Sequence, residues 1–103
     1  MKHDKHHLIY FLQNKVQIGA AQFNTYQSED GKCFILDFWI FPEYRGNGAG
    51  HQCFRALEEY TKRDRALYYE LNCDRANAQR FWIDNGFVDH GVDEYDMPLL
   101  IKL

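Results

Sequence analysis

"FPEYRGNGAGHQ", residues 41–52, puts three glycines into five positions, behind a proline and ahead of a helical pattern. Glycine lets a backbone turn tightly and lets another molecule approach the main chain without meeting a Cβ, at a cost in conformational entropy. Upstream, Cys33–Phe41 ("CFILDFWIF") is nearly all apolar, which predicts a central strand covered on both faces. Pro42 cannot donate to a strand ladder and ends it. Downstream, Ala49, Cys53, Ala56, Leu57 and Tyr60 recur at helical spacing, with Arg55, Glu58, Glu59 and Lys62 on the other side. A strand, a glycine turn and a helix start gather unpaired backbone N–H groups around one point with the helix dipole behind them, which suits a phosphate. A plain loop leading into a helix would use the same residues. A P-loop is excluded because Gly50 is followed by His51-Gln52, and the evenly spaced Gly46, Gly48 and Gly50 do not make GxGxxG.

Working outward, Leu8–Leu12 and Val16–Tyr26 read as strands around a turn at residues 13–15, and Asp30-Gly31 is the core of a second hairpin turn. Ala66–Asn72 ("ALYYELN") reads as a strand. Asp74 is placed to cap a helix running to about Asn85, with Ala78, Phe81 and Trp82 on its inner side, and Asn85-Gly86 stops it. Phe87–Val88 and Met97–Leu103 follow as strands. The order β-β-β-α-β-α-β-β implies an α/β (mixed α+β) fold: a mixed, mostly antiparallel sheet with two helices, in a single domain over residues 1–103.

The 103 residues carry a net charge of −3, so no basic field invites nucleic acid. Cys33, Cys53 and Cys73 are odd in number and lack CxxC spacing, which argues against a disulfide framework or a zinc site and suits a cytoplasmic protein. No apolar run is long enough to span a membrane. His3, His6 and His7 have no further ligand cluster behind them and read as a polar start to the first strand, with no metal site.

Arg45-Gly46-Asn47-Gly48-Ala49-Gly50 matches R-x-x-G-x-G and, with the preceding "FPEY", resembles the acetyl-CoA loop of the GCN5-related N-acetyltransferases. "RANAQRFWIDNGF", Arg75–Phe87, resembles that family's late helix, N-x-x-A-x-x-F-Y followed by Gly-Phe. The two motifs stand in the family's order, and the resemblance runs from about Leu8 to the C-terminus. It implies an N-acetyltransferase that moves an acetyl group directly from acetyl-CoA, its co-substrate, to an amine. It further implies that the backbone of Gly46, Asn47, Gly48, Ala49, Gly50 and His51, next to Arg45, holds the CoA pyrophosphate. Phe38, Trp39 and Ile40 would pair with the pantetheine arm where two strands splay, and Asn77 lies near the cofactor. A non-catalytic CoA-binding or interaction module of the same fold is the alternative.

The chain departs from the family in three places. Trp82 stands where the tyrosine that protonates the leaving thiolate is usual, leaving Tyr69 and Tyr95 as substitutes by residue type only. Arg75 stands where an asparagine is usual. A first strand and two helices that normally wall the acceptor side have no counterpart before Leu8, so a homodimer or a partner protein is expected to complete that wall. The base that neutralises the amine is open between Glu70, at the place of a family glutamate, and Asp37, a carboxylate in an apolar strand where burial would raise a pKa. Asp84, Asp89, Asp93, Glu94 and Asp96 form a one-sign rim that would favour cationic amines, and also read as a solvated acidic loop.

Overall fold

The computed structural model describes residues 4–103, so His3 lies outside the described residues. Strands β1 (Lys5–Gln13) and β2 (Val16–Tyr26) are joined by a turn in which Asn14 and Lys15 both take positive φ, 52° and 67°. That backbone matches the twist of the flanking strands. Asp30 and Gly31, also at positive φ, turn the chain into β3 (Lys32–Ile40), and the Gly31 N–H donates to the Tyr26 carbonyl. Then come α1 (Ala49–Arg63), β4 (Tyr68–Asn72), α2 (Ala76–Asp84), β5 (Val88–Val92) and β6 (Pro98–Lys102).

The six strands form one sheet in the order β1-β2-β3-β4-β6-β5. Every pairing is antiparallel except β3 with β4, which is parallel because α1 carries the chain back across the sheet. Both helices pack on the same face. Phe54 is the hub, its ring against Phe38, Tyr69, Trp82 and Phe87. Leu57 and Thr61 on α1 are buried with it, while Ala56 and Tyr60 are exposed, so the buried stripe of α1 is rotated from the one its spacing suggested. The opposite face carries Leu8, Tyr10, Tyr26, Phe34, Trp39, Tyr68, Glu70, Leu99 and Ile101, half-buried or exposed, and among the described residues no helix lies over it. The expectation that β3 is covered on both faces is therefore corrected: it is interior to the sheet but covered on one face only.

Other boundaries differ for local reasons. Ala66 and Leu67 precede β4, their N–H groups held by the Thr61 and Gly31 carbonyls rather than by a strand. Arg75, not Asp74, occupies the cap position of α2, without a side-chain cap bond. β5 starts at Val88 and extends to Val92, beyond the two residues expected, and β6 starts at Pro98. His6 and His7 alternate across β1 and bond to Asn24 and Thr25 respectively.

One irregularity positions the site. Phe23 pairs with Ile35 and Gln22 with Asp37, leaving Leu36 unmatched as a bulge. In an unbroken strand Ile35, Asp37 and Trp39 would share a face. The inserted residue turns Phe38 and Ile40 toward the core instead, and Asp37 and Trp39 toward the bare face.

Candidate functional site

β4 is five residues long and pairs with β3 only from Lys32–Tyr68 to Ile35–Leu71. Past that point β3 keeps its β2 partner and has no strand on the β4 side, so the main chain of residues 36–40 presents an edge that no strand covers, with the Phe38 N–H held by Asp37 and the Ile40 carbonyl by Arg45. A cavity of about 640 Å³ lies against this edge. Its other walls are the glycine loop, the start of α1 and the first turns of α2.

The loop is shaped for an anion. Gly46 and Gly48 take φ of 93° and 83°, and a Cβ on either would meet nothing within 4 Å, so side chains here would fill the space a ligand needs. Gly48 caps α1 with no side-chain bond, and the first helix bond runs from the Gln52 N–H to the Gly48 carbonyl. The N–H groups of the first turn are thus left for a ligand, with the positive end of the helix behind them. Arg45 fixes the loop to the strand, its Nε donating to the Ile40 carbonyl at 2.6 Å. Gly50 serves packing: a Cβ there would lie 2.8 Å from the Phe81 ring.

Asp37, Phe38, Trp39, Ile40, Arg45, Gly46, Gly48, Ala49, Gly50, His51 and Asn77 all line this cavity. Asn47 and Glu70 do not. The lining also includes Arg75, Ala78, Phe81 and Trp82. Asn77, Ala78 and Phe81 fall at helical spacing, a stripe legible in the sequence once Asn77 was placed there. Phe81 packs on His51 and Phe38, closing the apolar wall of the cavity.

The two carboxylates sit differently. Asp37 is exposed in the cavity, one oxygen accepting the Phe38 N–H at 3.0 Å, so the burial expected of it inside an apolar strand is absent because the bulge turns it outward. Glu70 lies on the bare face opposite Phe34, one pair before the β3–β4 ladder ends, with the Lys32 Nζ at 3.9 Å. Burial works against that ammonium, but the hydrogen bond from Lys32 to Glu29 and the charges of Glu70 and Glu29 outweigh it and hold Lys32 above its ordinary pKa.

No tyrosine is among the lining residues. Tyr69 points into the core, its hydroxyl 2.7 Å from the Thr61 Oγ1, and burial pushes it up to about 12. Tyr95 is 79% exposed in the turn before β6. Trp82 is buried between Phe38, Phe54 and Phe87 and contributes to the cavity wall. The β5–β6 turn stands at the end of β4 beside the gap, since Asn72 pairs with Leu99. There Asp93 builds the turn: the Met97 and Tyr95 N–H groups donate to it and, with the Asn72 side chain, hold its pKa low against the opposing effect of burial.

A family model described as the acetyltransferase (GNAT) family matches residues 1–87. No curated protein matches the chain in sequence. Among solved structures, the PaiA N-acetyltransferase of Thermoplasma acidophilum in complex with coenzyme A has a TM-score of 0.77 at 20% identity, over 92% of this chain and 58% of that one. Tetrahymena GCN5 has a TM-score of 0.78 at 16% identity, over 94% of this chain and 67% of that one. A Bacillus anthracis protein provisionally named a streptothricin acetyltransferase, in complex with acetyl coenzyme A, gives 0.78 at 18% identity, over 94% and 61%. The chain thus spans about three fifths to two thirds of these proteins. They share its fold.

Proposed function

The chain belongs to the acetyltransferase (GNAT) family, and from that premise we propose that it transfers the acetyl group of acetyl-CoA directly to an amine. The observation that carries this reading is the open edge of β3 facing the uncapped glycine loop across one cavity. The residues present fit the co-substrate. The loop N–H groups take the pyrophosphate, Arg45 and Arg75 add positive charge at the cavity, and the main chain of Phe38–Ile40 meets the amides of the pantetheine arm as an added strand would. Acetyl-CoA supplies an activated thioester. Phe38, Phe81 and Trp82 keep water from its path.

The acceptor approaches over the bare face. Its amine must lose a proton to attack, and Asp37, in the cavity, or Glu70, at the end of the ladder, accepts it. A thiolate whose acid has a pKa near that of cysteine, about 8.5, departs without a strong acid, so a tyrosine at the position of Trp82 is not required. Acidic residues of the β5–β6 segment beside the gap favour a cationic acceptor. Three free cysteines suit the cytoplasm, and among the described residues no helix is long and apolar enough to cross a membrane. A second reading, a CoA-binding module without turnover, is favoured by the burial of Trp82 in the aromatic cluster and the absence of a lining tyrosine.

Two measurements decide. Acetyl-CoA should raise the melting temperature; Gly48→Val, whose Cβ meets nothing within 4 Å but whose side chain is strained at φ 83°, should melt below the parent and lose the shift. A folded variant with full affinity contradicts the loop assignment. Thiol release with a broad amine panel, above the rate without amine, supports transfer; binding with no release over the whole panel leaves the binding module.

A further inference from the structure

Two charges of opposite sign flank the gap between β3 and β4. Asp37 stands two residues past the last ladder pair, Ile35–Leu71, on the β3 side, and Arg75 stands four residues past it on the β4 side. Both are exposed, and both line the cavity of about 640 Å³. Asp37 accepts only the Phe38 N–H, and among the described residues the Arg75 guanidinium has no hydrogen-bond or ion-pair partner. Arg75 also occupies a place that local structure would give to another residue. It is the N-cap of α2 without a side-chain cap bond, where asparagine, aspartate, serine or threonine would reach the first N–H groups. Arginine gives up that bond and brings five donors in a planar fork to the cavity. Arg45, the other guanidinium of the lining, is tied to the loop through the Ile40 carbonyl. Phe81 makes the contact of α2 with His51 of the loop. Arg75, six residues earlier, stands about 9 Å along the helix from that contact, at the end where β4 stops.

We propose that the acceptor is an α-amino acid, its amino group at Asp37 and its carboxylate on the Arg75 guanidinium. The inference rests on the reading of the cavity as an acyl-transfer site. Each of the two charges offers charge-assisted hydrogen bonds to a ligand group of the other sign, and an amino acid brings both groups in one molecule. A guanidinium takes a carboxylate through two parallel N–H···O bonds, which fixes the orientation of the molecule as well as its charge. The loop, with Arg45, is left to the pyrophosphate. The ammonium gives one proton to Asp37, and the free amine attacks the thioester carbonyl. The amide C–N bond forms, the C–S bond breaks, and the second nitrogen proton goes to the departing thiolate. Asp37 then returns its proton to water. An amino acid with a cationic side chain also meets the acidic β5–β6 segment beside the gap. A simple amine leaves Arg75 without a partner.

A panel of L-amino acids, each paired with its own amide, reads the carboxylate directly. Arg75→Asn should cut the acid-to-amide ratio of kcat/KM about 10–100-fold for the best acid, as expected when a hydrogen-bonded charge loses its partner. Comparing ratios between variants removes the difference in reactivity of the two amines. Asparagine is a good cap, so this variant should melt at or above the parent. Arg75→Lys keeps the charge without the fork and should keep part of the ratio. Asp37→Asn should slow acid and amide alike, and acetyl-CoA affinity should change far less in Arg75→Asn than the ratio does. A ratio unmoved by Arg75→Asn overturns the proposal, as does an equal loss of acetyl-CoA affinity, which would make the guanidinium a co-substrate contact. An Arg75-dependent preference for succinyl-CoA over acetyl-CoA, with the ratio unmoved, puts the carboxylate on the acyl group and also overturns it. If no amine of the panel releases thiol, transfer itself is refuted, and melting of the CoA-bound protein still reads the subsite. Acids should then raise the melting temperature above their amides in the wild type and not in Arg75→Asn; equal shifts from acid and amide sink the inference.

Discussion

Along the first half of β3, residues 32–35, both edges of the strand are paired, Cys33 and Ile35 are buried under α1, and Lys32 is held by Glu29 and Glu70. Along the second half, residues 36–40, only the β2 edge is paired, Leu36 and Asp37 are exposed, and the other edge faces a cavity. Composition does not separate the halves, since both are largely apolar. The separation comes from one unmatched residue and from a neighbouring strand that stops short. A sheet interior can thus leave main-chain groups for a ligand without exposing its core, because Phe38 and Ile40 still turn inward past the bulge.

Inserting an alanine between Asp37 and Phe38 carries the largest expected effect. A one-residue step past the bulge turns each following side chain to the other face, sending Phe38 and Ile40 out of the core and Trp39 in. Loss of these two side chains from the core should cost more than about 4 kcal/mol, visible in urea unfolding as a collapse of the transition. Deleting Leu36 instead leaves an unbroken ladder with the same facing and should cost far less; an insertion variant as stable as the parent would show that the register past Leu36 does not set the facing.

Gly50→Ala tests where the loop ends and the packing begins. Its Cβ would press on Phe81 at 2.8 Å and should cost about 1–2 kcal/mol, a fall of roughly 5–10 °C in melting temperature. Gly48→Val is strained by its positive φ rather than by a packed neighbour and should abolish the acetyl-CoA shift; equal loss of that shift in Gly50→Ala would erase the distinction between an open cradle and a packed contact.

The closed half should also report itself in alkali. Burial raises the Cys33 thiol from 9.0 to about 12, and burial, partly offset by the Thr61 hydrogen bond, raises Tyr69 from 10.0 to about 12. The unfolded chain releases these protons first while the native chain keeps them. Stability from these groups is therefore full below about pH 9 and falls between about pH 9 and 12, at up to about 1.4 kcal/mol per pH unit for each proton. Cys33→Ala should delay the onset to near pH 10, measured as unfolding free energy against pH; an unchanged onset would mean the thiol is not shielded.

The smallest effect belongs to the rim beside the open half. Asp93 holds the turn, so the charge test falls on its exposed neighbours. Glu94→Gln with Asp96→Asn should raise KM for a cationic amine about 2–3-fold at low salt, fade beyond a Debye length of about 10 Å as salt is added, and leave a neutral amine unchanged. Equal changes for both amines would leave the rim a solubility feature.

Much of this protein was written in local chemistry. Asn14-Lys15 and Asp30-Gly31 take the left-handed backbone that makes hairpins, the spacing after Gly48 makes α1, and Gly46 and Gly48 are the residues that tolerate positive φ with open space beside them. Those features depend on residues a few positions apart, and so did the family motifs that brought most of the cavity wall to one place. The tertiary structure alone decided the rest. A continuous apolar run has no period in which an extra residue can show, so the Leu36 bulge and the outward turn of Asp37 stayed hidden until β2 was laid beside β3. Where the β3–β4 ladder stops depends on two strands more than thirty residues apart. The same holds for the Tyr69 hydroxyl, claimed by Thr61 from another element, and for the bare face, which exists because α1 and α2 pack on one side. Short-range geometry is set by each residue's own backbone preferences, whereas pairing ends, facing and burial are set by which distant surfaces the folded chain brings into contact.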